Sequence, residues 1–245
     1  MAVGLNVTVL GCSGSFPGPG QACSGYLIQG GGVNVWLDAG SGTMANLQRH
    51  IGLDEVDAVV LSHEHPDHWH DIEGFAVATA YFLERKGVRV YAPTTFKRLT
   101  YHVHAPALLW TSVSEGDAVD IGDLRLTFSR TDHGPETLAV RIDGEGRALG
   151  YSADTGPKWS LASLGPGLHT VLCEASLLES QLGSPRGVRH LSGRQAGEMA
   201  RDAGVGRLVL THFGPGNDRD VTRTEAEAAF GAPVVLATEN GAFEV

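Results

Sequence analysis

The ten residues from Ser62 to Asp71, Ser-His-Glu-His-Pro-Asp-His-Trp-His-Asp, hold four histidines and two aspartates directly behind the apolar run Asp57-Ala-Val-Val-Leu61. Neutral imidazoles and carboxylates are ligands for divalent metal ions. If the apolar run is a buried strand, His63 and His65 leave its end on one side, because side chains two apart in an extended segment share a face. Together they can bind one ion. Pro66 stops the strand, so Asp67 and His68, ahead of a helix-like segment, point elsewhere and can serve a second ion beside the first. His-x-His-x-Asp-His is thus a two-metal pattern. The competing reading is a helix start capped by Asp67 with surface histidines, and it leaves unexplained why so many neutral-pH ligands follow a buried strand.

Further polar residues stand alone at predicted strand exits. They are His133 in Thr131-Asp-His-Gly-Pro135, Asp154 in Ala153-Asp-Thr-Gly156 and His212 in Thr211-His-Phe213. Taken singly, each is more often a capped turn or a core histidine than a ligand. His102 and His104 imitate the His-x-His spacing but lack an attached Asp-His, which favours a structural role. The glycine-rich loop Gly11 to Gln21 lacks both the Gly-Lys-Ser/Thr ending and a Gly-x-Gly-x-x-Gly helix start, so it reads as a turn and not as a phosphate cradle. Lys86, Lys97 and Lys158 are the only lysines, and Arg186, Arg189 and Arg194 the only dense cationic group. Those arginines suit a solvated face at least as well as phosphate binding. Trp69, Tyr101 and Trp110 could stack on a base, and packing is the safer reading for each.

The elements that must position these residues alternate along the chain. Strands are expected over Leu5 to Leu10, Tyr26 to Gln29, Val33 to Asp38, Asp57 to Leu61, Val88 to Tyr91, Ala118 to Ile121, Leu124 to Ser129, Leu138 to Ile142, Ala148 to Ser152, His169 to Cys173, Leu208 to Leu210, Val234 to Leu236 and Phe243 to Val245. Helices are expected over Thr43 to His50, Ile72 to Arg85, Gly193 to Ala203 with Ser192 as N-cap, and Val221 to Phe230. Pro93 to Trp110 has no firm assignment. The order suggests two sheets with helices outside.

With 245 residues, 42% hydrophobic, and no linker-like stretch, the chain is expected to form a single domain, residues 1–245. A formal net charge of −10 argues against extended nucleic-acid binding, which is mostly electrostatic. A small anionic substrate remains compatible. The start carries no secretory pattern and no apolar segment is long enough to span a bilayer, so the expectation is a cytoplasmic protein without a membrane partner. Cys12, Cys23 and Cys173 are odd in number and lack Cys-x-x-Cys spacing, and read as free thiols.

The set His63-x-His65-x-Asp67-His68, His133, Asp154 and His212, spanning most of the chain, resembles the ligand pattern of the metallo-β-lactamase superfamily. The resemblance implies an α/β fold, a four-layer αββα sandwich of two mixed β-sheets with the metals at one edge. It implies that His63, His65 and His133 hold one ion, that Asp67, His68 and His212 hold the other, and that Asp154 bridges them. Aspartate in the bridging place, where β-lactamases often have cysteine, points to phosphodiester hydrolases and some lactonases and thioesterases. His190, in His190-Leu-Ser192, matches an extra active-site histidine of the ribonuclease Z branch. The segments Leu10-Gly-Cys-Ser-Gly14, Tyr151-Ser-x-Asp154-Thr-Gly156, Leu172-Cys-Glu-Ala-Ser176, His190-Leu-Ser-Gly193 and Phe243-Glu-Val245 are similar to actinobacterial cyclic-nucleotide phosphodiesterases of that branch. A homodimer is expected from the resemblance alone.

The expected activity is therefore hydrolysis of 3′,5′-cyclic nucleotides, cAMP first, by a hydroxide that two divalent ions activate. Asp67 and His190 are the expected catalytic residues, His190 as acid to the departing ribose oxygen or as donor to the phosphoryl group. Imidazole and carboxylate ligands favour Zn(II), and Mn(II) or Fe(II) also fit. The rivals are a ribonuclease Z-like tRNA 3′ endonuclease, a lactone or β-lactam hydrolase, and a non-catalytic metal-binding module. Gly134 to Ala153 leaves room for two strands and a turn, not for the protruding arm with which the tRNA enzymes grip their substrate.

Overall fold

Asp38, His63 to His68, Asp154, Glu174 and His212 all stand at or just past the carboxyl ends of parallel strands, and the topology explains why those ends coincide. In this computed structural model the described residues are 4–83, 85–98, 107–183 and 189–245. The first sheet contains β1 (Asn6–Gly11), β2 (Gly25–Gly30), β3 (Val33–Ala39), β4 (Ala58–Val60), β5 (Val88–Pro93), β6 (Leu108–Val113) and β14 (Ala242–Glu244). Their order is β14-β1-β2-β3-β4-β5-β6. The second sheet contains β7 (Ala118–Ile121), β8 (Leu124–Arg130), β9 (Leu138–Gly144), β10 (Arg147–Tyr151), β11 (Thr170–Glu174), β12 (Arg207–Thr211) and β13 (Val235–Leu236), ordered β13-β12-β11-β10-β9-β8-β7.

Each sheet is half antiparallel and half parallel. The pairs β14/β1, β1/β2 and β2/β3 are antiparallel, and β3/β4, β4/β5 and β5/β6 parallel. The second sheet repeats this, antiparallel from β7 to β10 and parallel from β10 to β13. Parallel neighbours cannot be joined by a tight turn. The connections after β3 and β4 accordingly carry the helices α1 (Thr43–Leu47) and α2 (Asp71–Tyr81), and those after β11 and β12 carry α3 (Gly193–Asp202) and α4 (Arg219–Phe230).

Burial follows the same division. The parallel strands β4 and β11 are buried at every position, while β8 alternates, with Leu124, Leu126 and Phe128 inward. Val7, Val9, Ile28, Val35 and Leu37 of the first sheet meet Leu126, Val140, Ile142, Leu149 and Tyr151 of the second. On the outer face of the first sheet, Leu27, Trp36, Val59 and Val90 pack with Leu47, Ile72 and Phe75 of α1 and α2. The helices α3 and α4 add Ala196, Ala200 and Ala226 on the other side. The result is two mixed β-sheets flanked by helices, the expected αββα arrangement.

Two helices stop sooner than their sequences suggest. Beyond α1, His50 and Ile51 both donate to the carbonyl of Leu47, which tightens the chain out of the α-helix. Beyond α2, Leu83 donates to Ala78 and closes the last turn before Arg85. In the unassigned stretch, one 3-10 turn spans Thr94–Arg98 and β6 starts at Leu108; Tyr101, His102 and His104 lie outside the described residues. The hairpin β9/β10 turns directly at Gly144 to Arg147, with no arm.

Candidate metal centre

Three overlapping groups of potential ligands meet where the sheet ends converge. His63, His65, His133 and Asp154 form the first, Asp67, His68 and His212 the second, and Asp154, His190 and His212 a third that shares two members with the others. In the first, His65 Nδ1 lies 3.1 Å from His63 Nε2 and 3.2 Å from His133 Nε2. Asp154 Oδ2 is 3.6 Å from His63 Nε2 and 3.8 Å from His133 Nε2. In the second, His212 Nε2 is 3.2 Å from both His68 Nε2 and Asp67 Oδ2. Asp154 turns its other oxygen, Oδ1, to this group, 3.3 Å from His68 Nε2 and 3.3 Å from His212 Nε2. One carboxylate therefore faces both groups. All seven residues expected from the sequence are brought together.

The outer hydrogen bonds fix which imidazole nitrogens carry protons. His68 Nδ1 is 2.7 Å from the Asp38 carboxylate, an acceptor only, so Nδ1 donates. Ser62 Oγ donates to Asp38 Oδ2 and therefore accepts from His63 Nδ1. His133 Nδ1 donates to the carbonyl of Arg189 at 2.9 Å. Ser176 Oγ donates to Glu174 Oε2 and accepts from His212 Nδ1 at 2.8 Å. With Nδ1 of each ring committed to its outer partner, four Nε2 atoms converge with the carboxylates and are the ones left to take a cation, whether a proton or a metal ion. Asp154 Oδ1 is buried with no hydrogen-bond partner among the described residues. Lone pairs forced together at 3.2 Å beside an unpartnered buried carboxylate oxygen are what a cation resolves. The donor set thus fits metal ions, and the buried second layer fits their orientation.

The electrostatics agree. Burial would raise the pKa of Asp154, yet His212, His68 and His63 hold it well below the carboxylate range. Asp67 behaves alike, with burial outweighed by His68 and His212. Burial disfavours a charge on His68, but Asp154, Asp67 and Asp38 outweigh it and push its pKa well up. His63 is lowered by burial and then by His68. A pocket that draws positive charge to a buried imidazole draws a metal cation equally. Cys12, Cys23 and Cys173 are free and buried, and burial pushes their thiols up to about 11, 12 and 12, so they supply no thiolate.

His190 lies at the rim of this group. Its Nδ1 is 2.9 Å from Glu174 Oε1 and 3.9 Å from Asp154 Oδ2. Burial opposes protonation of His190, and the Glu174 carboxylate with its hydrogen bond overrides that, pushing the imidazole up to about 9. Because Nδ1 is engaged, Nε2 is the free donor among the described residues.

Several residues in this arrangement are missing from the sequence reading. Asp38 is fully buried and receives Ser62 N, Ser62 Oγ, His68 Nδ1 and Tyr151 OH. A carboxylate ending the strand run Val33 to Leu37 is the one local signal that could have singled it out. Glu174 and Ser176 were visible only as part of a similar segment. The backbone also departs from the ordinary: Asp38, Ala153 and His212 have φ of 55°, 50° and 52°, a left-handed conformation that costs a non-glycine residue about 1–3 kcal/mol. Of the aromatic candidates, Trp69 donates to Glu64 O and packs on Phe96, and Trp110 stacks on Phe96, so both serve packing. Arg194 pairs with Glu198 on the solvent face, while Arg186 lies outside the described residues.

Comparison with known proteins agrees with this geometry. The family model described as the beta-lactamase superfamily domain matches residues 33–213. The uncharacterized protein Rv1339 of Mycobacterium tuberculosis is 35% identical, covering 99% of this chain and 93% of that protein. The probable metallo-hydrolase YhfI of Bacillus subtilis is 31% identical over 98% of this chain and 100% of its own length. The crystal structure of YhfI, described as a metallo-beta-lactamase fold protein, superposes with a TM-score of 0.90 at 29% identity, covering 99% and 100% of the two chains. The Ribonuclease Z of Methanopyrus kandleri is 28% identical over 97% of this chain and 96% of that protein. With its ligand groups at the shared edge of two mixed sheets, the chain belongs to the beta-lactamase superfamily and is one of its metal-dependent hydrolases.

Proposed function

We propose that the protein is a dinuclear phosphodiesterase that hydrolyses 3′,5′-cyclic nucleotides, cAMP first, with Zn(II) as its ions. His63, His65 and His133 would hold one ion and Asp67, His68 and His212 the other, with Asp154, whose two oxygens face both groups, available to each. When bound, two such ions would activate a water at neutral pH and offset phosphoryl charge. The observation that carries the reading is the Glu174–His190 pair beside Asp154. A phosphodiester with an alkoxide leaving group needs a proton at the departing oxygen, and His190 keeps one at neutral pH because Glu174 lies 2.9 Å away. Asp67, held ionised, also accepts the Ser15 N–H at 2.6 Å, so the loop after β1 closes over the site.

A tRNA 3′ endonuclease is the second reading, favoured by the likeness to a protein named Ribonuclease Z. The short β9/β10 turn and the net charge of −10 weigh against an extended RNA. The deciding experiment supplies Zn(II) or Mn(II) and compares cAMP, cGMP, bis(p-nitrophenyl) phosphate and a precursor tRNA. The proposal expects cyclic-nucleotide cleavage that Asp67→Ala abolishes. His190→Ala should slow it far more than it slows the p-nitrophenyl ester, whose leaving group needs little protonation. Cleavage of precursor tRNA without cleavage of cyclic nucleotides would overturn it.

A further inference from the structure

His190 also lines a recess of about 250 Å³ together with Leu177, Leu182 and Gln195, open to solvent along Pro157 and Gln181. That volume is below the range of roughly 300–1,000 Å³ typical for whole small ligands, and it suits one moiety of a substrate whose remainder lies elsewhere. The proton donor must touch the departing oxygen, so whatever is attached to that oxygen lies beside His190. The cavity is there.

Its polar groups are set by the secondary structure. Gln195 is the third residue of α3, and its Oε1 accepts the N–H of Ser192 at 3.0 Å. Gln181 is the third residue of the 3-10 turn Glu179–Gln181, and its Oε1 accepts the N–H of Leu178 at 2.8 Å. A backbone N–H only donates, so each amide orientation is fixed and Nε2 is the atom left over. Among the described residues neither Nε2 has an acceptor. Two oriented amide donors beside the apolar side chains of Pro157, Leu177 and Leu182 match a nucleobase, which offers flat apolar faces and ring acceptor atoms at its edge.

We propose that this cavity is the leaving-group subsite, taking the nucleoside of the departing alcohol, with Gln181 and Gln195 as its specificity-determining residues. The proposal rests on the phosphodiesterase reading above and deepens it. The test is calorimetric titration of the metal-loaded protein with adenosine 5′-monophosphate, guanosine 5′-monophosphate and inorganic phosphate. The ratio of nucleotide to phosphate affinity isolates the base and ribose contribution. Two hydrogen bonds and the apolar contact should make that ratio at least about tenfold in the wild type. Gln181→Glu with Gln195→Glu keeps both caps, since a carboxylate accepts the same N–H, and removes the donors; the ratio should fall toward one. Leu182→Trp, which fills the cavity without a change of charge, should do the same. A wild-type ratio near one, or a ratio that ignores both changes, would overturn the subsite. An intact ratio in a protein that cleaves no cyclic nucleotide would instead retain the subsite and discard the cyclic-nucleotide reading.

Discussion

Asp38 accepts four hydrogen bonds at the centre of the site. Through His68 directly, and through Ser62 to His63, it sets the proton positions in both ligand groups. Second-layer partners of this kind are worth about 10–100-fold in metal affinity. Asp38→Ala should therefore lower metal affinity by about that factor, measured by competition with a chromophoric chelator; wild-type affinity would contradict the assignment. Glu174 plays the corresponding part for His190. The imidazole pKa is raised to about 9, so the protonated donor is present below that pH and is lost as pH rises through it. Cleavage of a cyclic nucleotide should show an alkaline limb near 9. With Glu174→Gln, burial still opposes the charge while the opposing carboxylate is gone, so the limb should move toward or below the ordinary histidine value of about 6.5. A limb that stays in place would remove His190 from the proton transfer.

The loops and glycines around the strand ends do more than turn the chain. Gly14, in the loop after β1, lies so close to His212 that a Cβ would sit 2.8 Å from its Cε1 and 2.9 Å from its Nδ1. Gly40, after β3, would set a Cβ 2.0 Å from the Asp67 carbonyl oxygen. The first contact is with a ring that can tilt, the second with backbone that cannot. Gly14→Ala should thus fold but displace His212, lowering metal affinity by about tenfold or more. Gly18→Ala in the same loop, which meets mainly the flexible Gln21 side chain, should leave it unchanged. Equal affinities for the two variants, read by the same competition, would show that the loop does not press on the ligand. The left-handed residues Asp38, Ala153 and His212 stand at the same strand ends, where each breaks the extended run.

For the molecule as a whole, the site is a seam. Asp38 and His63 to His68 come from the first sheet, His133, Asp154, Glu174 and His212 from the second, and the ligands join the two halves. Ions bound only in the folded state stabilise it by about 3–4 kcal/mol when free metal exceeds the dissociation constant a hundred- to a thousandfold. Stripping the metal with a chelator should lower Tm by roughly 5–15 °C, read by scanning calorimetry. Asp67→Ala should be already destabilised and respond less to the chelator. A chelator-insensitive wild-type Tm would mean that the seam holds without the ions. No helix among the described residues is long and apolar enough to cross a membrane.

By itself the sequence determined the family, the candidate ligand types and most of the elements. Four of the seven clustered residues were legible from type and spacing, because His-x-His-x-Asp-His concentrates them behind one apolar run; His133, Asp154 and His212 each end another strand but were marked only by the family resemblance. Strand and helix types followed from local periodicity, and the cap at Ser192 from residue type; the structure adds Gln195 as the residue that closes it. What only the tertiary structure decided is everything that depends on two distant segments meeting. Asp38 lies 24 residues from Ser62 and 113 from Tyr151, with nothing local to mark it as their shared acceptor. Gly14 read as a turn until the His212 ring came against it. The free amides of Gln181 and Gln195 exist only because both oxygens are taken by helix starts whose faces converge beside His190. Spacing along the chain specifies which side chains share a face, whereas proton positions, bridging and cavities arise from long-range packing that no local pattern encodes.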